Sequence, residues 1–217
     1  MNIDPETLAN LRADYRLETL DSTQVNPDPL KQFTRWFDDA MQAGVPEPNA
    51  MTLATATPDG FPSARIVLLK GFDELGFTFY TNFGSQKGQE MDSNPRAALV
   101  FCWLQLQRQV RISGAVIRTP QAVAERYFQS RPKGSQIGAW ASPQSSVIPD
   151  RSGLEARVAS LQEQYANQEQ LPLPDFWGGY TVQPQVLEFW QGRSSRLHDR
   201  IRYRKAGESW QLERLAP

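Results

Sequence analysis

The stretch WQGRSSRLHDR, residues 190–200, holds the chain's single histidine, His198, with Arg193, Arg196 and Arg200 around it and Arg202 just beyond. Cations crowded this closely repel one another unless something negative sits among them. If the stretch is a strand, Arg196, His198 and Arg200 alternate with Leu197 and Asp199 and project to one face. Such a face is an anion-binding surface. The neighbouring guanidinium groups would also favour the neutral imidazole.

Three more stretches carry candidate chemistry. In ARIVLLK, Arg65 and Lys70 bracket an apolar run. In a regular strand they would face opposite ways, so they serve one site only if the strand bends or ends near Lys70. In FYTNFGSQKG, a strand closing at Tyr80-Thr81 leads into a helix start at Gly84-Ser85. Helix starts offer free N–H groups and a positive dipole end, so Lys87 in the first turn is misplaced unless an anion is close by. RPKGSQIGAWASPQSS is rich in hydroxyls, amides, Gly and Pro and reads by default as a flexible surface loop, though loops this long in compact domains are often functional. Together these suggest two phosphate sites, one for a cofactor and one for a substrate.

The elements that must position them read as mainly β, with helices around the sheet. Residues 5–16 read as a short helix capped by Asp4. A second helix, capped by Asp28, repeats Leu30, Phe33, Trp36, Phe37 and Met41 at helical spacing. MTLATAT, a PDG turn and FPSARIVLLK form a hairpin. LGFTFYTN, RAALVFCWL and RQVRISGAVIR add three strands, with a Ser85-capped helix after the first of them. PQAVAERYFQS is a helix capped by Thr119, and residues 151–168 form a long amphipathic helix. LPLPDFWGGY is a rigid crossing, and VLEFWQG, IRYRKAG and SWQLERLAP are three late strands. Residues 1–217 read as one domain, an antiparallel barrel or sandwich.

Bulk properties exclude several classes. Of 217 residues, 40% are hydrophobic and 22% charged, with a net charge of -1, so the chain has no overall basic footprint for nucleic acid. One histidine and one cysteine cannot supply a standard zinc set. Cys102, in the apolar run ALVFCWL, reads as a buried thiol. MNIDPETLAN lacks the regions of a signal peptide, and no run is long enough to span a bilayer, so a cytoplasmic protein is expected.

The segments RIVLLK, FYTNFGSQK, RQV-RISG, SRP-x-x-SQIGAW, FWGGY, EFWQG, RLHDR and the terminal RLAP resemble the pyridoxine/pyridoxamine 5'-phosphate oxidase family from about residue 11 to residue 217. The resemblance implies an FMN-binding split β-barrel, a homodimer with FMN at the subunit interface, and FMN-dependent oxidation with O2 reduced to hydrogen peroxide. It implies a lid segment over 1–27 and a dimerisation and substrate segment over 175–217. FMN would be held by Arg65, Ile66, Val67, Leu68, Leu69, Lys70, Tyr80, Thr81, Gln86, Lys87, Gln109, Gln144, Ser145, Trp190 and Arg200. Substrate would meet Arg12, Tyr15, Lys70, Tyr127, Arg131, Ser135, Arg196, Leu197 and His198, with Arg196 and His198 as the catalytic pair. No metal is implied.

Two departures accompany the resemblance. The family commonly reads SRK where this chain reads Ser85-Gln86-Lys87. Losing that charge-assisted bond costs about 1.5–3 kcal/mol, so weaker FMN binding is expected. The lid reads Arg12-Ala13 where two basic residues are common. Competing readings are a non-catalytic flavin or pyridoxal-phosphate carrier of the same fold and, disfavoured by the acidity, a nucleic-acid binder.

Overall fold

In the computed structural model, residues 4–11 and 13–217 are described, and the chain divides into two compact units. The second unit, 49–99 with 113–185, starts from the hairpin read in the sequence. Strand β1 (Ala50–Ala56) pairs antiparallel with β2 (Pro62–Leu68), from Ala50 opposite Leu68 to Ala56 opposite Pro62. Every second residue of β1 is buried, the period-2 signature of a strand with one covered face. The turn closes through Thr57, whose hydroxyl donates to Asp59 and accepts from the Phe61 amide.

The short β3 (Gly71–Asp73) leads into β4 (Gly76–Asn82) and helix α3 (Gln86–Ser93). The Ser85 hydroxyl caps α3 by accepting from the Gly88 amide. Strands β5 (Arg96–Trp103), β6 (Arg108–Arg118) and β7 (Trp177–Gln191) follow, with α4 (Gln121–Ser130), α5 (Lys133–Ala141) and α6 (Arg151–Gln164) between the last two. The hydrogen-bonded strand order is β2-β1-β5-β6-β7-β4-β3. Leu53, Phe77, Phe79, Leu99 and Val182 are fully buried in it, and Phe128, Ile137, Tyr165, Leu171 and Trp177 form a cluster of their own.

The first unit combines residues up to Pro48 with 100–112 and 186–217. It holds α1 (Pro5–Asn10) and α2 (Pro29–Gln42), capped by Asp4 and Asp28 through the amides of Thr7 and Leu30. Phe33, Trp36 and Ala40 form the buried stripe of α2. Phe33 lies 5.1 Å from Phe101, and Trp36 meets Phe189 edge-on at 5.1 Å. The unit's sheet ends in β8 (Asp199–Ala206), which pairs with β7 and with β9 (Ser209–Leu215). No helix among the described residues is long and apolar enough to cross a membrane.

The mainly β class with helices is as expected, but several local readings are corrected. α1 stops at Asn10 rather than running to residue 16. Met41 is exposed and leaves the α2 stripe. Cys102 is exposed, because β5 alternates and its apolar run disguises an outward position. Thr119 does not cap α4; its hydroxyl is buried without a partner, and Pro120 stands at the cap position. The expected loop after Arg131 is largely helix α5. α6 ends at Gln164 rather than 168 and buries no residue fully, but Leu154, Val158 and Leu161 are half-buried at helical spacing, and the last two pack against the Phe128 cluster. The supposed crossing FWGGY already belongs to β7 from Trp177 onward.

Candidate active site

One cavity of about 850 Å³ in the second unit gathers most of the predicted anion-binding residues. β2 ends at Leu68, so Lys70 escapes strand alternation and lines the same cavity as Arg65. Ile66, Val67 and Leu68 line it between them, whereas Leu69 turns into the core. β4 supplies Tyr80 and Thr81, α3 supplies Lys87, α4 supplies Tyr127 with Arg131 just after it, and α5 supplies Ser135. Gln144 closes one side and accepts from the Thr81 hydroxyl at 3.0 Å.

Lys87 is 8% exposed. Its Nζ lies 3.3 Å from Thr81 Oγ1 and 3.4 Å from Ser85 Oγ, and it forms no ion pair among the described residues. Burial pushes its pKa below the ordinary lysine value, Arg65 adds to that, and Glu90 opposes it. Arg131 lies over the Trp177 ring at 4.8 Å and the Phe128 ring at 5.6 Å. Its Nη1 is buried with no hydrogen-bond partner among the described residues. Burial again works against the charge. A buried cation without an acceptor is costly, and an anion in the cavity would relieve the cost. Tyr80, Tyr127 and Trp177 stack nearly parallel along the wall, the two tyrosines 3.9 Å apart. Burial raises the pKa of both phenols.

Gln86 does not line the cavity, and its amide donates to Glu90 Oε1 at 2.9 Å. Ser145 is exposed, with a left-handed φ of 70°, and lies outside the lining. Arg12 falls outside the described residues.

Gln109, Tyr15, Trp190 and the histidine strip belong to the first unit. There His198 sits 4.5 Å from Trp190 and 6.0 Å from Tyr15, ring to ring. His198 Nδ1 accepts the Arg193 amide at 3.1 Å. Burial first, then Arg196, lowers the imidazole pKa. The regular strand expected here is corrected. β8 starts only at Asp199, after a turn in which Ser195 and Arg196 take left-handed φ values of 55° and 62°, conformations uncommon for residues with a Cβ. Leu197 is exposed beyond this turn.

The expected neutralising anion is also corrected in part. Arg193 pairs with Asp199 at 2.9 Å, Arg200 with Glu188 at 2.9 Å and Arg202 with Glu213 at 2.7 Å. Protein carboxylates therefore answer three of the four arginines, and only Arg196 forms no ion pair among the described residues. The sequence reading missed Glu188, Glu90 and Trp177. Glu90 was detectable, since it stands four residues after Gln86 and so on the same helix face.

Residues 37–165 match the family described as pyridoxamine 5'-phosphate oxidase, and 177–217 match the pyridoxine 5'-phosphate oxidase C-terminal dimerisation region. A relative from Acaryochloris marina, named pyridoxine/pyridoxamine 5'-phosphate oxidase, is 55% identical over 99% of both chains. Among solved structures, PhzG from Burkholderia lata, in complex with tetrahydrophenazine-1-carboxylic acid, is 32% identical with a TM-score of 0.87, covering 93% of this chain and 99% of that one. A pyridoxamine 5'-phosphate oxidase-related, FMN binding protein from Nostoc punctiforme shares the fold, with a TM-score of 0.69 at 18% identity over 89% of this chain and 100% of that one. The fold class is thus the split barrel of these proteins.

Proposed function

Because the chain belongs to the pyridoxamine 5'-phosphate oxidase family, we propose that it oxidises pyridoxine 5'-phosphate and pyridoxamine 5'-phosphate to pyridoxal 5'-phosphate, with FMN as cofactor and O2 as electron acceptor. The observation that carries this reading is the pair of cavity cations, buried Lys87 and half-buried Arg131, neither of which forms an ion pair among the described residues. Phosphate is the acceptor that fits such donors.

In this reading Arg65, Lys87, Tyr80, Thr81 and Gln144 hold the FMN phosphate end, and Gln109, Trp190 and Arg200 hold the rest of the cofactor. Lys70, Tyr127, Arg131 and Ser135 take the substrate phosphate. FMN, when bound, supplies the ring that accepts a hydride from the substrate's C4' carbon. The chain's own task is to fix that carbon in place. Arg196 orients the substrate ring and its C4' substituent. His198 has Nδ1 occupied as an acceptor and its pKa lowered, so it holds its proton at Nε2 and acts as an orienting donor. Tyr15 and Arg12 keep the substrate-binding role that the resemblance implies for them. The match of 177–217 to a dimerisation region supports a homodimer, with FMN at the subunit interface.

The test is pyridoxal 5'-phosphate formation from pyridoxine 5'-phosphate in air, across a series of added FMN. Turnover that saturates with FMN, with hydrogen peroxide formed in equal amount, is expected. A bound-flavin spectrum without turnover would replace the oxidase by a flavin carrier.

A further inference from the structure

Arg65 lines the anion cavity, yet both of its terminal nitrogens are committed to the protein. Nη1 donates to the Leu53 carbonyl and the Thr55 hydroxyl, and Nη2 donates to the Ser63 hydroxyl and Glu90 Oε2. Glu90 is the hub of this set and is 6% exposed. Its Oε2 accepts from Thr55 at 2.5 Å, Ser63 at 2.6 Å and Arg65 at 3.1 Å, and its Oε1 accepts from Gln86 at 2.9 Å. One carboxylate therefore ties α3 to both strands of the β1–β2 hairpin. Burial alone would raise its pKa, but the four donors outweigh burial and hold it at about 2. Glu90 is thus an anion at any working pH.

A buried carboxylate beside an anion seat opposes the ligand's charge. It is tolerable there only if what it orders is worth more than the repulsion. We infer that Glu90 is a positioning residue for the phosphate seat, locking the Arg65 guanidinium in the cavity wall and holding the Gln86 amide out of the cavity. This rests on the reading of the cavity as the seat of the FMN phosphate. Glu90 itself touches no ligand in this scheme. Its effect is confined to the phosphate, because Arg65 is what it orders.

That confinement gives the test. Apoprotein is titrated with FMN and, separately, with riboflavin, which has the same ring and no phosphate, and quenching of flavin fluorescence is followed. Glu90→Gln keeps the shape and removes the charge. It is expected to weaken FMN binding about tenfold and leave riboflavin unchanged. Ser63→Ala, a milder change in the same set, is expected to weaken FMN about threefold, again without effect on riboflavin; it decides the matter if the first variant does not fold. Tighter FMN binding would overturn the inference by making Glu90 a mere opponent of the phosphate. Parallel weakening of both flavins would reduce it to a fold role, and no change in either would remove it. If the unaltered protein binds FMN and riboflavin equally well, the phosphate seat itself is misread, and the inference falls with it.

Discussion

Replacing Lys87 by methionine removes the most deeply buried cation of the cavity while nearly keeping its volume. The wild-type ammonium is 8% exposed and has only two hydroxyls nearby, at 3.3 and 3.4 Å. Without ligand its charge is a liability, so the variant apoprotein should melt at the same temperature as wild type or higher. With ligand the ammonium is a charge-assisted donor worth about 1.5–3 kcal/mol, so FMN affinity should fall roughly 10- to 150-fold. The pH dependence has a definite sign. Burial and Arg65 depress the pKa of Lys87 below the ordinary 10.5, with Glu90 opposing. As pH rises through that depressed value the amine loses its proton, and FMN affinity falls, by up to about tenfold per pH unit. Folding stability moves the other way, rising with pH between the depressed value and the unfolded one, because the unfolded chain then binds the extra proton. Isothermal titration calorimetry from pH 7 to 10, on wild type and Lys87→Met, reads the binding limb. If the variant binds FMN as tightly as wild type, or keeps the wild-type fall with pH, Lys87 is not the phosphate's cation.

Gln86→Arg should change FMN affinity by less than about threefold, since an arginine there meets Glu90 before it meets the cavity; tenfold tightening in a flavin titration would show that the side chain reaches the phosphate after all. Arg196→Ala should lower turnover at least about 100-fold with FMN affinity kept, because among the described residues it removes the one arginine of the strip without a carboxylate partner; unchanged turnover in the oxidase assay would strip Arg196 of its catalytic assignment. Gly192→Ala puts a Cβ 2.6 Å from Tyr15 Cδ2, so the Tyr15 ring must leave its place. Steady-state kinetics should then give a several-fold higher KM for the phosphorylated substrate at nearly constant kcat, and an unaltered KM would make the seat of Tyr15 irrelevant.

The hairpin, the Ser85 cap and the α2 stripe were legible because each rests on local rules: alternation, a side chain accepting an amide, a 3.6-residue repeat. α5 was not. The stretch around it, rich in Gly, Ser and Pro, argues for a loop, and its helix is secured from elsewhere in the unit. Gln136, 1% exposed, donates to the carbonyls of Gln129 and Arg131 and accepts from the Leu171 amide, while Trp140 donates to the Pro172 carbonyl. Tertiary bonds of that kind override propensity and leave no trace in a local window. The strip around His198 failed for a related reason, since alternating residue types suggest a strand but cannot reveal two left-handed residues in succession. At the cavity, the sequence displayed the cations and hid their management. Which arginines are already paired depends on carboxylates as distant in sequence as Glu90 and Glu188.

The division of the chain has a consequence for the order in which the protein is made. Every residue lining the anion cavity lies between Arg65 and Trp177, and the unit that holds it ends at Gln185. A ribosome that has delivered residue 185 has therefore delivered the whole cavity. The other unit must wait. Its N-terminal segment is fastened through the Leu20 amide to Asp199 and through the Leu20 carbonyl to Arg214, contacts 179 and 194 positions apart. Closures that long are slow, and they cannot begin until the C-terminal strands emerge. Arg196 and His198 ride on that last segment, so during synthesis the cations of the cavity are delivered before either of them.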